Sequence, residues 1–393
     1  MQKNRFHVAI IGAGLGGLCL AQGLKRRGIP FDVFERDAAL DSRSQGYRLR
    51  INADGQAALR ECLSPQLYAL FQASCADELG QVHALDVQLN SAARWNEAWD
   101  AGAHAEPDLK AHRQSLREVL MCGIADRVHF GRELREFDRH HDGRVSFEFA
   151  DGTHCWTDLL VGADGSHSRV AAQCFPSAQG HDTGAVCIYG KAALDAEAIA
   201  PPLRQGTSVV FGDDLALVLD AMRFSGATTL SPVDDYLYWA MIGRRERFGL
   251  GAQLPADEAA VRRCIATVSE HWAPGLGGVF AATPAGMLAM LPVRQARAPL
   301  ETVAGRVTAL GDALHVMSPA SGLGCNSALR DAAALAMQLS KALPTAPTGA
   351  ATLEQAVAGY ERDMRLRAGA ALEASAHGGR QLYGDANDEA AGG

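Results

Sequence analysis

Val8-Ala9-Ile10-Ile11-Gly12-Ala13-Gly14-Leu15-Gly16-Gly17 is the stretch on which the fold is decided. Phe6 to Ile11 is a short apolar run rich in strand formers, and Leu15 to Arg27 reads as a helix burying Leu18, Leu20, Ala21 and Leu24. Glycines fill the turn between them. Gly12 permits a tight turn, Gly14 lets a pyrophosphate approach the backbone, and Gly17 lets the helix pack closely on the strand. Free N–H groups where the helix opens at Leu15 attract the anion. A second strand, Phe31 to Phe34, ends in Glu35 and Arg36, at the place where this unit carries an acid for a ribose 2′-OH. An ordinary glycine turn explains the loop but not the terminal Glu35. The acid suits a ribose without a 2′-phosphate, which leaves FAD and NAD as ligands of Gly12, Gly14, Leu15, Gly17, Glu35 and Arg36.

Two further glycine segments lie far along the chain: Gly162-Ala163-Asp164-Gly165, and Gly311-Asp312-Ala313-Leu314-His315 followed by Pro319, Gly322, Gly324 and Asn326. Each follows an apolar strand-like run. The third leads into a helix expected from Asn326 to Leu343, so its unpaired N–H groups and positive dipole end face one spot. A reduced flavin carries negative charge around N1 and the C2 carbonyl, and a helix start aimed there favours hydride acceptance. A Gly-rich turn capped by Asn326 is the plainer reading of that segment taken alone.

The 393 residues are 48% hydrophobic, enough for two or three domains' worth of core. A formal charge of -8 argues against nucleic acid or an anionic membrane surface as partner. Nine scattered cysteines without a C-x-x-C pair fit reduced thiols and offer neither a disulfide framework nor a metal site. Lys3 and Arg5 ahead of an apolar run imitate a signal peptide, but the glycines in its centre agree better with a strand-turn-helix unit. No apolar run reaches the roughly 18 residues of a membrane span, and a cytoplasmic monomer or weak dimer is expected.

Helix is expected over His112 to Ile124 and Asp257 to Trp272, and again from Leu353 to Ala374. Strands are expected over Val128 to Phe130, Val145 to Phe149, Cys155 to Val161 and Arg306 to Leu310. Between Ala185 and Arg247, alternating runs suggest an antiparallel sheet that Val82 to Leu89 joins, while Gly275-Leu276-Gly277-Gly278 reads as a loop and Gly378 to Gly393 as a frayed tail. The expected fold class is α/β with an α+β insertion. A Rossmann-like, FAD-binding domain (1–74, 106–180 and 296–378) interleaves with an antiparallel-sheet, substrate-binding domain (75–105 and 181–295), ahead of a tail at 379–393.

These three ordered motifs make the chain from about Val8 to Leu343 resemble the single-component flavin-dependent aromatic monooxygenases of the p-hydroxybenzoate hydroxylase type. With no third domain, its layout is similar to the shorter tetracycline-inactivating class. The resemblance implies non-covalent FAD, with Gly12, Gly14 and Gly17 at its pyrophosphate, Glu35 at its adenine ribose, Arg113 in contact with it, and Asp312 after Gly311 at the ribityl and pyrophosphate region. It implies that Asp164 and Gly165 serve both flavin and nicotinamide. Two departures stand out: Ala171 follows Val170 where relatives carry Arg, and Leu323 replaces a common Gln.

The reaction implied consumes NADPH or NADH and O2 and hydroxylates an aromatic or polycyclic, enolic small molecule through an oxygen adduct at flavin C4a. The candidates for substrate contact are Tyr189, Lys191, Tyr236 and Tyr238, on the sheet expected to cover the pocket. No base is assignable; His315 and Arg48 are the candidates, with loop orientation and an exposed strand as their plainer roles. The same scaffold accommodates a reductase, a redox-neutral cyclase, a halogenase or a flavin-free scaffold protein. A halogenase lacks support because no Trp-x-Trp-x-Ile-Pro is present, and intact Gly12, Gly14, Gly17, Glu35, Asp164 and Asp312 disfavour the scaffold protein.

Overall fold

The structure, a computed structural model, describes residues 6–42, 47–77, 82–91, 106–178, 180–297, 305–343 and 350–383. At its centre is a parallel sheet in the spatial order Val307–Ala309, Leu159–Gly162, Val8–Ile11, Phe31–Phe34, Val128–His129. Val8, Ala9, Ile10, Leu159, Leu160 and Val161 have no exposed surface, as expected of strands covered on both faces. The helix Leu15–Arg26 covers one side and packs on the helix Gly324–Ala342. Gly23 permits that approach, since a Cβ there would lie 2.9 Å from the Ala336 Cβ.

Chain expected as one strand from Cys155 to Val161 divides into His154–Thr157, antiparallel to Val145–Phe149, and Leu159–Gly162 in the parallel sheet. Asp158 makes the break. Its carboxylate accepts from the His7 N–H at 2.9 Å, fixing the step between the two sheets.

The second domain is a six-stranded sheet in the order Leu288–Gln295, His181–Ala193, Tyr236–Arg244, Leu215–Met222, Thr207–Gly212, Val82–Asp86. All pairings are antiparallel except the last, where Val82–Asp86 joins parallel to Thr207–Gly212. Pro292 is tolerated because its strand lies at the sheet's edge. Alternation gives the sheet two apolar faces. Val186, Ile188, Leu217, Leu237, Trp239 and Met241 pack under the helices Glu258–Val268 and Pro274–Ala281. Cys187, Tyr189, Tyr236, Tyr238 and Ile242 face the other way, toward Tyr47 and Ala320 of the first domain.

Gly275 to Gly278, expected as a loop, is helical within Pro274–Ala281. Pro274 opens the helix, and the glycines let it approach the backbone: a Cβ at Gly278 would lie 2.0 Å from the Ala198 carbonyl oxygen. Packing thus overrides poor helix propensity. The last helix, Ala350–Tyr383, runs past the expected end at Ala374 and makes Gly378 to Tyr383 helical; the rest of the expected tail lies outside the described residues. Among the described residues no helix is long and apolar enough to cross a membrane.

Trp239 is the anchor of the sheet's covered face. It is fully buried, donates from Nε1 to Thr283 Oγ1 at 2.9 Å, packs on Phe280 at 5.0 Å between ring centroids, and lies opposite Gly190, whose missing side chain makes room for the indole. Trp239→Ala should cost about 3–5 kcal/mol in guanidinium unfolding followed by far-UV circular dichroism. A loss below about 1 kcal/mol would remove Trp239 from that role.

Candidate active site

The first two glycine motifs meet at the carboxyl edge of the parallel sheet. Gly12 adopts φ +110°, and a Cβ there would lie 2.3 Å from the Ala163 carbonyl oxygen; one at Gly17 would lie 2.0 Å from the Gly12 carbonyl oxygen. The fold itself therefore demands glycine at both positions. Gly14 differs: its φ is -72° and a Cβ would meet nothing nearer than Ala163 O at 4.0 Å. The protein has room for a side chain there, so the reason for glycine lies in the open space in front of it.

That space is a cleft of about 420 Å³ lined by Gly12, Gly14, Glu35, Arg36, Arg113, Asp164 and Gly165, all expected cofactor contacts, and by Arg117, Arg132, His167 and Arg169. The start of the helix Leu15–Arg26 opens into it, with Gly14 as its cap, no side chain on its first N–H groups and no acid in its first turn. Glu35 accepts from Ala13 N at 2.7 Å and Asp37 N at 3.0 Å, one bond per oxygen, which leaves each oxygen capacity for a ribose hydroxyl. Asp164 holds Arg169 N with one oxygen at 2.8 Å, while its other oxygen, buried, has no partner among the described residues. Burial pushes its carboxyl above the usual range against bonds from Ser168 and the Arg169 backbone. A buried acceptor without a donor is costly, and a ligand hydroxyl or N–H in the cleft would satisfy it.

Arg117, which sequence reasoning missed, braces this loop. It is 4% exposed, donates to Ala13 O at 3.2 Å and to Leu40 O at 2.5 Å, and sits among Leu116, Val119 and Leu120 on the buried face of the helix Arg113–Met121. An arginine on an apolar helix face was the available signal.

The third motif abuts the second. Gly311, at φ +62°, opens the short helix Asp312–His315, which packs against Gly165–His167. Asp312 has solvent-accessible surface, yet lies deep enough between protein walls that burial raises its carboxyl, opposed by His315 and Arg113. Arg113, which borders the cleft, thus acts on both ends of the site. Leu323 and Gly324 begin the next helix two residues before Asn326, with no side-chain cap and no acid in the first turn. Gly322 takes φ +64°, and Pro319 opens the turn Pro319–Ser321 before it.

Asn326, expected as a cofactor contact or cap, instead ties the loop down. Its amide donates to Arg50 O at 2.9 Å and Gly322 O at 3.0 Å and accepts from Asn52 N at 3.1 Å, so its polar atoms are taken by backbone. His315 has no exposed surface and pairs with Asp331 at 2.5 Å, and the same Asp331 oxygen accepts from Gly311 N at 3.2 Å. Burial pulls the imidazole down, but Asp331 and Asp312 more than offset this and hold it above its ordinary value. As a candidate base, His315 is corrected to a residue that orients the Gly311 turn, because it cannot reach the cavity. Arg48 is corrected likewise. It pairs at 2.7 Å with Asp220, which is fully buried and also takes Lys110 at 2.7 Å and Thr207 Oγ1 at 3.1 Å. Arg50 pairs with Asp108.

The tyrosine face of the six-stranded sheet closes the site. Tyr189 feels the charge of Asp312, and burial first, then Cys187, Tyr238 and Asp312, push its phenol well up. Tyr236 donates to Tyr47 O at 3.3 Å, Tyr47 donates to the Met287 sulfur at 3.6 Å, and Ala320 of the third motif packs on the same cluster. Tyr238 and Lys191 stand opposite each other in register on this face. The expected substrate contacts therefore share one wall beside Asp312. These residues fit a dinucleotide with a planar redox head and a ring-shaped second ligand, since polar groups line one end and aromatic rings the other.

Comparison with known proteins agrees with this geometry. Residues 103–375 match the family model described as FAD binding domain, and residues 10–62 match the NAD(P)-binding Rossmann-like domain. The chain is similar to the dual O-methyltransferase/FAD-dependent monooxygenase elcB of Phaeosphaeria nodorum, 34% identical over 96% of this chain and 46% of that protein. It thus spans about half the length of such dual-function relatives. It is 27% identical to the FAD-dependent urate hydroxylase of Klebsiella oxytoca, over 83% of this chain and 79% of the relative. Its fold matches a Photorhabdus luminescens protein solved as a candidate FAD-containing monooxygenase, with TM-score 0.81, 27% identity, and coverage of 96% and 98% of the two chains.

Two substitutions separate the demands of fold and ligand. Gly14→Ala should leave thermal unfolding of the apoprotein unchanged or slightly raised while FAD affinity, read by flavin fluorescence quenching, falls at least tenfold; equal affinity would remove Gly14 from the site. Asp312→Asn should also weaken FAD binding. Because the folded-state carboxyl is raised, its ionised form opposes folding at pH above its ordinary range, so this variant's apoprotein should melt higher at pH 7. A lower apoprotein melting temperature would contradict the desolvation argument.

Proposed function

Since the chain belongs to the FAD-binding domain family, we propose that it is an NAD(P)H-consuming, FAD-dependent monooxygenase that places one oxygen atom of O2 on an electron-rich aromatic or enolic small molecule. The observation that carries the reading is the chain of neighbours at the cleft: Arg113, which lines it, acts on the Asp312 carboxyl, and Asp312 acts on Tyr189 of the tyrosine face. Bound FAD supplies a two-electron acceptor for nicotinamide hydride and a site for activating O2.

The chain's own residues do the rest. Backbone N–H groups from Gly14 onward and the helix start at Leu15 hold the pyrophosphate, and Glu35 takes the adenosine ribose with the lone pairs its backbone bonds leave free. Arg113, Asp164 and Asp312 would hold the middle of the cofactor, and the uncapped helix start at Gly324 would supply N–H dipoles that favour the negative charge of a reduced flavin. The buried Tyr236 and Tyr238 exclude water, and the half-buried Tyr189 offers its ring to a flat substrate. Tyr189, Tyr236 and Tyr238 are all held protonated by burial, so they border a substrate without removing its proton.

The name of the elcB relative supports a hydroxylated substrate, because an O-methyltransferase acts on an oxygen the molecule already bears. In this division of labour, 1–74, 106–180 and 296–378 hold the cofactor, and 75–105 and 181–295 hold the substrate. Purified protein should be yellow and should oxidise NADPH or NADH faster when a substrate phenol is added. Under 18O2 the product should carry one labelled oxygen. Nicotinamide oxidation that yields only hydrogen peroxide across a panel of phenols, or product formed without O2, would overturn the proposal.

A further inference from the structure

Lys191 is a cation set into the tyrosine wall with no ion-pair partner among the described residues. It lies on the chamber face of the strand His181–Ala193, two residues beyond Tyr189, so its side chain stands roughly 7 Å along the strand from the tyrosine that borders Asp312. It faces Tyr238 in register, and its ammonium sits over the Tyr236 ring at 4.5 Å from the centroid. Among the described residues it makes no hydrogen bond and no ion pair. The groups around it are His112, Tyr236, Tyr238 and Asp234. Asp234, exposed, favours the cation but lies outside ion-pair range, and His112 is neutral at physiological pH: burial, then Lys191 itself, lowers it to about 4. His112, Phe224 and Tyr236 form a cluster of rings with centroids 5.8 to 6.3 Å apart.

A half-buried ammonium without a carboxylate is costly, and burial lowers the Lys191 amine from its ordinary value despite Asp234. Nearby charge does not cancel it either. Among the described residues the one fully buried carboxylate on this face, Asp220, is already shared by Arg48 and Lys110. The wall as a whole is thus short of negative charge at the place where a flat molecule would lie.

We propose that Lys191, held over the buried Tyr236 ring, is the substrate's anion anchor: it binds an acidic oxygen of an aromatic or enolic ligand whose ring packs on the half-buried Phe224 and His112. This rests on the monooxygenase reading for the identity of the chamber. It narrows the substrate class to molecules that present a phenolate, enolate or carboxylate oxygen at the end remote from Asp312. Tyr238, opposite Lys191 in register, adds an O–H donor to the same oxygen, while Tyr236 keeps its O–H on Tyr47 O and the neutral His112 brings no competing charge.

The test is a binding measurement in FAD-loaded protein without NAD(P)H, so its outcome does not depend on turnover. 2-Naphthoate, 2-naphthol and 2-methoxynaphthalene are titrated into wild type, Lys191→Met and Lys191→Arg, and read by perturbation of the flavin absorbance bands. Wild type should bind the two acidic probes about tenfold or more tighter than the methyl ether, the scale of a charge-assisted hydrogen bond. Lys191→Met should lose that preference while keeping its flavin and its affinity for 2-methoxynaphthalene, and Lys191→Arg should restore it. Equal affinity for all three probes in wild type, an unchanged preference in Lys191→Met, or no binding of either acidic probe to wild type would each overturn the anchor. Failure of oxygen incorporation with the binding pattern intact would instead strike the monooxygenase reading.

Discussion

The structure depends on a close approach of three backbone segments at the carboxyl edge of the parallel sheet. Gly12 must leave its strand at positive φ directly beneath the Ala163 carbonyl, and Gly17 must bring its helix against the Gly12 carbonyl, leaving no space for a Cβ at either position. Only this compression lets the helix start face outward over the strand ends with its N–H groups unused. The same edge then receives Asp164 from one neighbouring strand and Gly311-Asp312 from the next, since Leu159–Gly162 and Val307–Ala309 lie side by side in the sheet. Three motifs separated by some 150 residues each along the chain are brought together by strand order.

The second domain answers a different constraint. A sheet with two apolar faces must cover both, and here helices cover one while the first domain covers the other. The covered face is closed by Trp239. The other keeps polar atoms: tyrosine hydroxyls, Lys191, and Asp220 held between Arg48 and Lys110. A carboxylate buried this completely is tolerable only because two cations and Thr207 share it, and removing either cation would leave a strongly unfavourable charge. The trio fixes the first domain's strand Arg48–Ile51 against the sheet, so the depth of the chamber is set by an ion-pair joint.

The parallel core and its cofactor edge were legible because glycine, strand-forming residues and a terminal acid each have one physical reason to stand where they do. The tyrosine wall was legible in part: alternation along His181–Ala193 and Tyr236–Arg244 separates two faces, but which face meets the cofactor follows from Ala320 and Tyr47 docking on it, a tertiary fact. Where sequence reasoning failed, local signals were overruled by packing. Gly275 to Gly278 has loop composition, and a helix forms there because it presses onto Ala198 and Ala200. His154–Thr157 and Leu159–Gly162 read as one strand because only Asp158 marks the step. His315 and Arg48 looked like chemistry because ionisable residues near a glycine motif do; burial and partners show each serving structure.

Those two corrections bear on how the site is tuned. The carboxyls that face the cavity, Asp164 and Asp312, are the ones burial disfavours, and the charged groups behind them are paired: His315 with Asp331, and Asp331 also with Arg367 at 3.3 Å. Stability is therefore invested in the support, and the cost is left at the surface where a ligand binds. His315 contributes from both sides of the Gly311 turn, since Asp331 holds its imidazole and the turn's N–H with one oxygen while its charge eases the Asp312 carboxylate. A rigid support of this kind eases the Asp312 carboxylate against its desolvation, so that it can accept ligand hydroxyls without rearrangement. The buried Asp164 oxygen that has no partner among the described residues is an argument for a ligand in the cleft that does not depend on any relative.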